Sequence, residues 1–159
     1  MGQSYLAPIS TDQAGIFNVT FEPGCRNNWH IHHAKGGGGQ ILICVAGRGY
    51  YQEEGRKAVE MNPGDCVNIP AEVKHWHGAA PDEWFSHLAI EVPGVDCTNE
   101  WCEAVSESEY VALAAGHLAR TKWNSDSLRG KTDRGAMEKY DKTETEDIRS
   151  SVLESSETE

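Results

Sequence analysis

Histidines recur at two-residue spacing in two short segments of this chain, Trp29-His30-Ile31-His32-His33 and His75-Trp76-His77. In an extended strand, residues two apart project from one face, so each segment sets two imidazoles side by side. Six of the seven histidines lie between His30 and His87. The stretch that holds them alternates with the period of strands rather than of helices. A fold that gathers these segments is built of strands around a shared interior. Histidine is the commonest metal ligand, and an imidazole on a later strand can complete a shell begun on an earlier one.

Residues 16–92 read as consecutive short strands separated by turn signals. Residues 16–22 put Phe17, Val19 and Phe21 on one face, and Pro23-Gly24 ends the run. Residues 28–33 alternate again, with His30 and His32 opposite Trp29 and Ile31. Residues 34–39 contain four successive glycines and form a loop, either a mobile flap or a linker that lets two strands meet. Further strands follow at 40–46, 50–53, 58–61, 66–69, 74–78 and 84–92, with turns or bulges at 47–49, 54–57 and 62–65. No helical pattern interrupts them. The fold class is therefore all-β, an antiparallel barrel or sandwich. The expected organisation is an N-terminal arm at 1–15, a barrel at 16–100, a helical segment at 101–120 and a flexible tail at 121–159. Ser106 and Glu109 have capping-box spacing for a helix running to about Leu118.

At 159 residues the chain has room for one domain with a real core. Its formal net charge of -11 disfavours nonspecific binding to nucleic acid or to anionic lipid. Eight acidic and three basic side chains fall within residues 138–159, so much of that charge belongs to the tail. No apolar run is long enough to span a membrane, and no secretory pattern opens the chain. The five cysteines are odd in number and contain no CxxC, which points to reduced thiols and a cytoplasmic protein. Cys44 and Cys66 read as small core residues, and Cys97 and Cys102 as free thiols.

The candidate metal ligands are His30, His32, Gln40 and His75. Gln40 opens the strand beyond the glycine loop and either ligates through its amide oxygen or hydrogen-bonds a ligand or water. Such a set suits Mn, Fe, Co, Ni, Cu or Zn and leaves positions for substrate, as catalytic sites do. His33 points to the opposite face from His32. His77 shares the face of His75 and is a pocket residue or a partner of a ligand. If residues 79–83 are a hairpin turn, His75 pairs with His87 and His77 with Phe85. His87 is then placed to move a proton, and it is the candidate acid/base.

Two spaced motifs over residues 16–92 resemble the cupin signatures. The first is Gly24, His30, His32, Gln40 and Gly47; the second is Gly64, Pro70 and His75. Gln40 replaces the family's glutamate and comes eight residues after His32, later than usual. Glu72 and Ala79 stand where a glycine and an asparagine are usual. The segments around His30, Gly64 and His75-Trp76-His77-Gly78-Ala79-Ala80-Pro81 resemble a small-cupin subgroup with a His, His, Gln, His metal set. That subgroup includes manganese-dependent hydroxynitrile lyases, in which His87 matches a histidine proposed as acid/base. Similar cupins occur fused to carboxymuconolactone-decarboxylase-like domains. The resemblance implies a jelly-roll barrel, one divalent metal per chain with manganese favoured, and a homodimer. It implies a metal-dependent enzyme acting on a small organic molecule by lyase, decarboxylase-like or oxygenase chemistry. The alternative is a non-catalytic ligand-binding or accessory module.

Overall fold

The computed structural model describes residues 2–113. Its strands are β1 (Ser4–Ser10), β2 (Gly15–Phe21), β3 (His30–His33), β4 (Gly36–Gly37), β5 (Gln40–Gly47) and β6 (Gly49–Glu53), followed by β7 (Val59–Met61), β8 (Cys66–Ile69), β9 (His75–Ala79), β10 (Phe85–Glu91), β11 (Gly94–Val95) and β12 (Thr98–Trp101). They form two five-stranded antiparallel sheets, in the orders β1-β2-β10-β5-β8 and β12-β3-β9-β6-β7, with a small β4/β11 ribbon. This is a jelly-roll arrangement. Among the described residues one helix, α1, covers residues 107–113.

Alternation decides which side chains enter the interior. Gln40, Leu42 and Cys44 of β5 are buried, as are Phe85, His87 and Ala89 of β10 and His30 and His32 of β3. The apolar part of the core gathers Phe21, Leu42, Cys44, Met61, Ile69 and Phe85, among others. β9 is buried on both faces. His75 and His77 face inward, while Trp76 packs outside against Tyr50, Val105 and Tyr110. Helix α1 supplies that outer cover. Ser106 Oγ accepts the Glu109 amide at 3.3 Å and donates to its carboxylate at 2.6 Å, which satisfies an end-of-helix donor as the capping-box spacing predicts.

Gly47 shows why one motif glycine is required. Its φ is +69°, and a Cβ there would lie 1.8 Å from the Trp84 carbonyl oxygen. The close approach coincides with a register shift between β10 and β5 at Ser86/His87. Only a residue without a side chain permits it.

Several expectations change. Strands β9 and β10 do not form a hairpin. Both edges of β9 are taken, by β3 and β6, and both edges of β10 by β2 and β5. His75 therefore pairs with His30 and Glu53, and His87 with Val19 and Cys44. Residues 4–10, expected only as part of an arm, add the edge strand β1 to β2. The glycine loop contributes the two residues of β4, with Gly37 to Gly39 at positive φ. Residues 98–101 form the edge strand β12. The rest of the expected helix, His117 and the tail at 121–159 lie outside the described residues. All five cysteines are free. Among the described residues, no helix is long and apolar enough to cross a membrane.

Candidate metal centre

β3 and β9 pair through His30 and His75, and that junction brings their rings to 4.1 Å between centroids. The two-residue period then extends the cluster along each strand. His32 lies 5.3 Å from His30 and 5.5 Å from His75, and His77 lies 5.4 Å from His30. β10 in the facing sheet sends His87 to 4.7 Å from His77. Five imidazoles thus share one interior.

The backbone sets which nitrogens are free. His30 Nδ1 lies 3.0 Å from the Asn28 carbonyl and His75 Nδ1 2.9 Å from the Val73 carbonyl. A carbonyl oxygen only accepts, so each Nδ1 carries the proton and each Nε2 keeps its lone pair. Nε2 of His75, Nε2 of His32 and Oε1 of Gln40 are buried without a hydrogen-bond partner. Buried polar atoms are normally satisfied. Three such acceptors in one interior fit a cation that would take their lone pairs. His30, His75 and His77 each offer a ligand atom, all within 4.8 Å of one another, and this group can hold a metal ion.

Burial keeps the rings neutral. It lowers His30 to about 3, with His75 as a second cause, and His75 and His87 to about 4 and about 3. His32 is also lowered by burial, and His77 falls well below the usual imidazole value through burial and the neighbouring His87. Neutral imidazole is the ligating form. The donor chemistry therefore fits a divalent transition metal.

The sequence-predicted residues divide by position. His30 and His75 lie at the centre of the cluster. His32 also borders a cleft of about 220 Å³ shared with Gly39, Glu91, Thr98 and Asn99. Gln40 faces the interior from β5. His77, read as a pocket residue or partner, stands among the clustered imidazoles. His87 is fully buried with neither ring nitrogen bonded, against Phe85 at 4.9 Å and Phe21 at 5.9 Å. It reaches the site from the opposite sheet rather than from beside His75. His33 points outward and bridges Glu72 at 2.6 Å and Glu100 at 2.7 Å.

Sequence reasoning missed two neighbours. Asn27 accepts the His77 amide at 2.9 Å and donates to its ring nitrogen at 3.1 Å. It sits in an irregular stretch, where no periodicity marks a side chain as inward. Trp101 lies 5.0 Å from His30, on a strand that begins beyond the alternating run.

Comparison with known proteins agrees with this fold. The cupin domain model matches residues 17–90. A protein named (R)-mandelonitrile lyase from Granulicella tundricola is 44% identical over 106 residues, spanning 67% of this chain and 77% of that protein. The crystal structure of a cupin-like protein from Thermotoga maritima superposes with a TM-score of 0.60 at 41% identity, covering 69% of this chain and 84% of that one. A DMSP lyase from Ruegeria pomeroyi is 21% identical with a TM-score of 0.52, over 67% of this chain and 54% of that one, and shares the fold. Sheet order, the two motifs and these relatives place the chain in the cupin family.

Proposed function

We propose that this chain is a metal-dependent lyase that cleaves a small hydroxynitrile such as mandelonitrile. In this reading His30, His32, Gln40 and His75 hold one divalent cation, manganese by the subgroup resemblance, and His87 moves the proton. The observation that carries it is the set of buried, unpartnered acceptors on His32, Gln40 and His75 beside an unbonded His87. The 44% identity to a protein named (R)-mandelonitrile lyase supports this choice of reaction class.

A bound cation supplies Lewis acidity toward the substrate oxygen. The chain's own residues do the rest. Hydrogen bonds from Nδ1 to the Asn28 and Val73 carbonyls keep the Nε2 atoms of His30 and His75 fixed toward the interior. Asn27 holds His77 by two contacts. A ring nitrogen of His87 accepts the hydroxyl proton as the carbonyl forms. The carbon–carbon bond to the nitrile breaks, and cyanide leaves with its electron pair. His87 returns the proton to cyanide, giving an aldehyde and hydrogen cyanide. Phe21 and Phe85, flanking His87, exclude water from the transfer.

The test is benzaldehyde release from mandelonitrile by the metal-loaded chain and by His87→Ala. General acid–base residues contribute about 10²–10⁴-fold. The variant is expected to lose turnover on that scale while keeping its metal. No turnover by the wild type, or equal turnover by both, contradicts the reading; binding without turnover supports a non-catalytic module instead.

A further inference from the structure

Strand β12 lies beyond the residues matched by the cupin domain model, yet it borders the site. Its register sets Trp101 opposite His30 and Asn99 opposite His32. Directly opposed residues share a face, so Trp101 and Asn99 belong to the same sheet face as the two histidines. The Trp101 and His30 ring centroids are 5.0 Å apart with a 34° tilt. Thr98 and Asn99 line the cleft that reaches His32.

Trp101 is nevertheless 62% exposed, whereas Trp76 of the same sheet is wholly buried. A tryptophan that only fills a core buries its large apolar surface. β12 is the edge of its sheet, so no further strand of that sheet lies beside the indole. One part of the ring meets His30, and the remainder is exposed.

We propose that Trp101 is a specificity residue, whose indole stacks on the aromatic ring of an aryl-bearing small molecule held at the His30, His32 and His75 cluster. The proposal rests on the lyase reading for the identity of the pocket. An indole discriminates an aromatic ring from a saturated ring of similar size, because the π-systems add attraction beyond area burial. On the usual scale of aromatic pairs, the preference is about three- to ten-fold in Kd.

The experiment titrates benzaldehyde and cyclohexanecarbaldehyde into the full metal-loaded chain, with binding followed by ligand-observed NMR. Wild type, Trp101→Leu and Trp101→Phe are compared, along with metal content, Tm and sedimentation. The expected result is tighter benzaldehyde binding by about three- to ten-fold in wild type and Trp101→Phe, with the preference gone in Trp101→Leu and the other readouts unchanged. The proposal is overturned if wild type does not prefer benzaldehyde or if Trp101→Leu keeps the preference. It is equally overturned if Trp101→Leu loses metal, melts early or changes oligomeric state, which would make Trp101 a structural or subunit contact. Failure of the lyase reading looks different: mandelonitrile is not turned over by any variant, while the Trp101-dependent preference persists.

Discussion

Glu72 occupies a backbone conformation that favours glycine, with φ at +67°. It stands where the cupin motif usually has that residue. The strain is held by its carboxylate, which accepts the Ala34 amide at 3.0 Å and meets His33 at 2.6 Å. Left-handed backbone costs a residue with a Cβ about 1 kcal/mol or more. Glu72→Ala keeps that strain and loses both bonds, whereas Glu72→Gly loses the bonds and relieves the strain. In urea denaturation the glycine variant is expected to be about 1 kcal/mol more stable than the alanine variant; equal stabilities would contradict the assignment. His87 presents the opposite case, a buried ring with two unsatisfied nitrogens. In the metal-free chain, His87→Leu removes both at similar volume and is expected to gain about 1–3 kcal/mol in the same assay, while the metal-loaded variant is expected to lose turnover. The inward direction of His30, His32, Gln40, His75 and His77 is legible in the sequence, because a two-residue period is a local property of strands. Asn27 is not legible, since its position depends on an irregular turn meeting β9.

Elements are legible in the sequence where the pattern is local and illegible where the pairing is not. Strands β2, β5, β6, β8, β9 and β10 lie close to the alternating runs. The short connection suggests a hairpin of β9 with β10, whereas the topology carries the chain across to the facing sheet. His87 reached the site all the same, since the inner faces of the two sheets oppose each other. The edge strands β1 and β12 carry weak signals, because their residues are largely exposed and need no strict alternation. The crossing depends on Gly47 at the end of β5. Gly47→Ala sets a Cβ against the Trp84 carbonyl at a strained φ. It is expected to destabilise by more than about 2 kcal/mol in thermal or urea melts, well above a surface substitution. A change below about 0.5 kcal/mol would show that the close approach relaxes freely.

At the scale of the molecule, one interior combines an apolar core with a cluster of neutral histidines, and acid should separate them. Folded values of about 3 for His30 and His87 lie below the unfolded value of 6.5. Between those values the unfolded chain binds more protons, so stability rises with pH. It is complete above pH ~6.5 and is lost progressively as pH falls toward the folded values. At pH 5 each of these two buried rings contributes a loss of about 2 kcal/mol. The metal-free chain is expected to lose several kcal/mol between pH 7 and pH 5 in denaturant titrations, and a flat profile would contradict the burial of these rings. A cation held there would engage the same imidazoles in the same neutral form, so metal binding and the fold would draw on one set of residues. Metal analysis of the purified full chain, beside His75→Ala, tests this most directly. The expected result is about one equivalent of a divalent transition metal per chain, falling to trace in the folded variant. Less than roughly a tenth of an equivalent in the wild type, or full occupancy in His75→Ala, would contradict the metal centre.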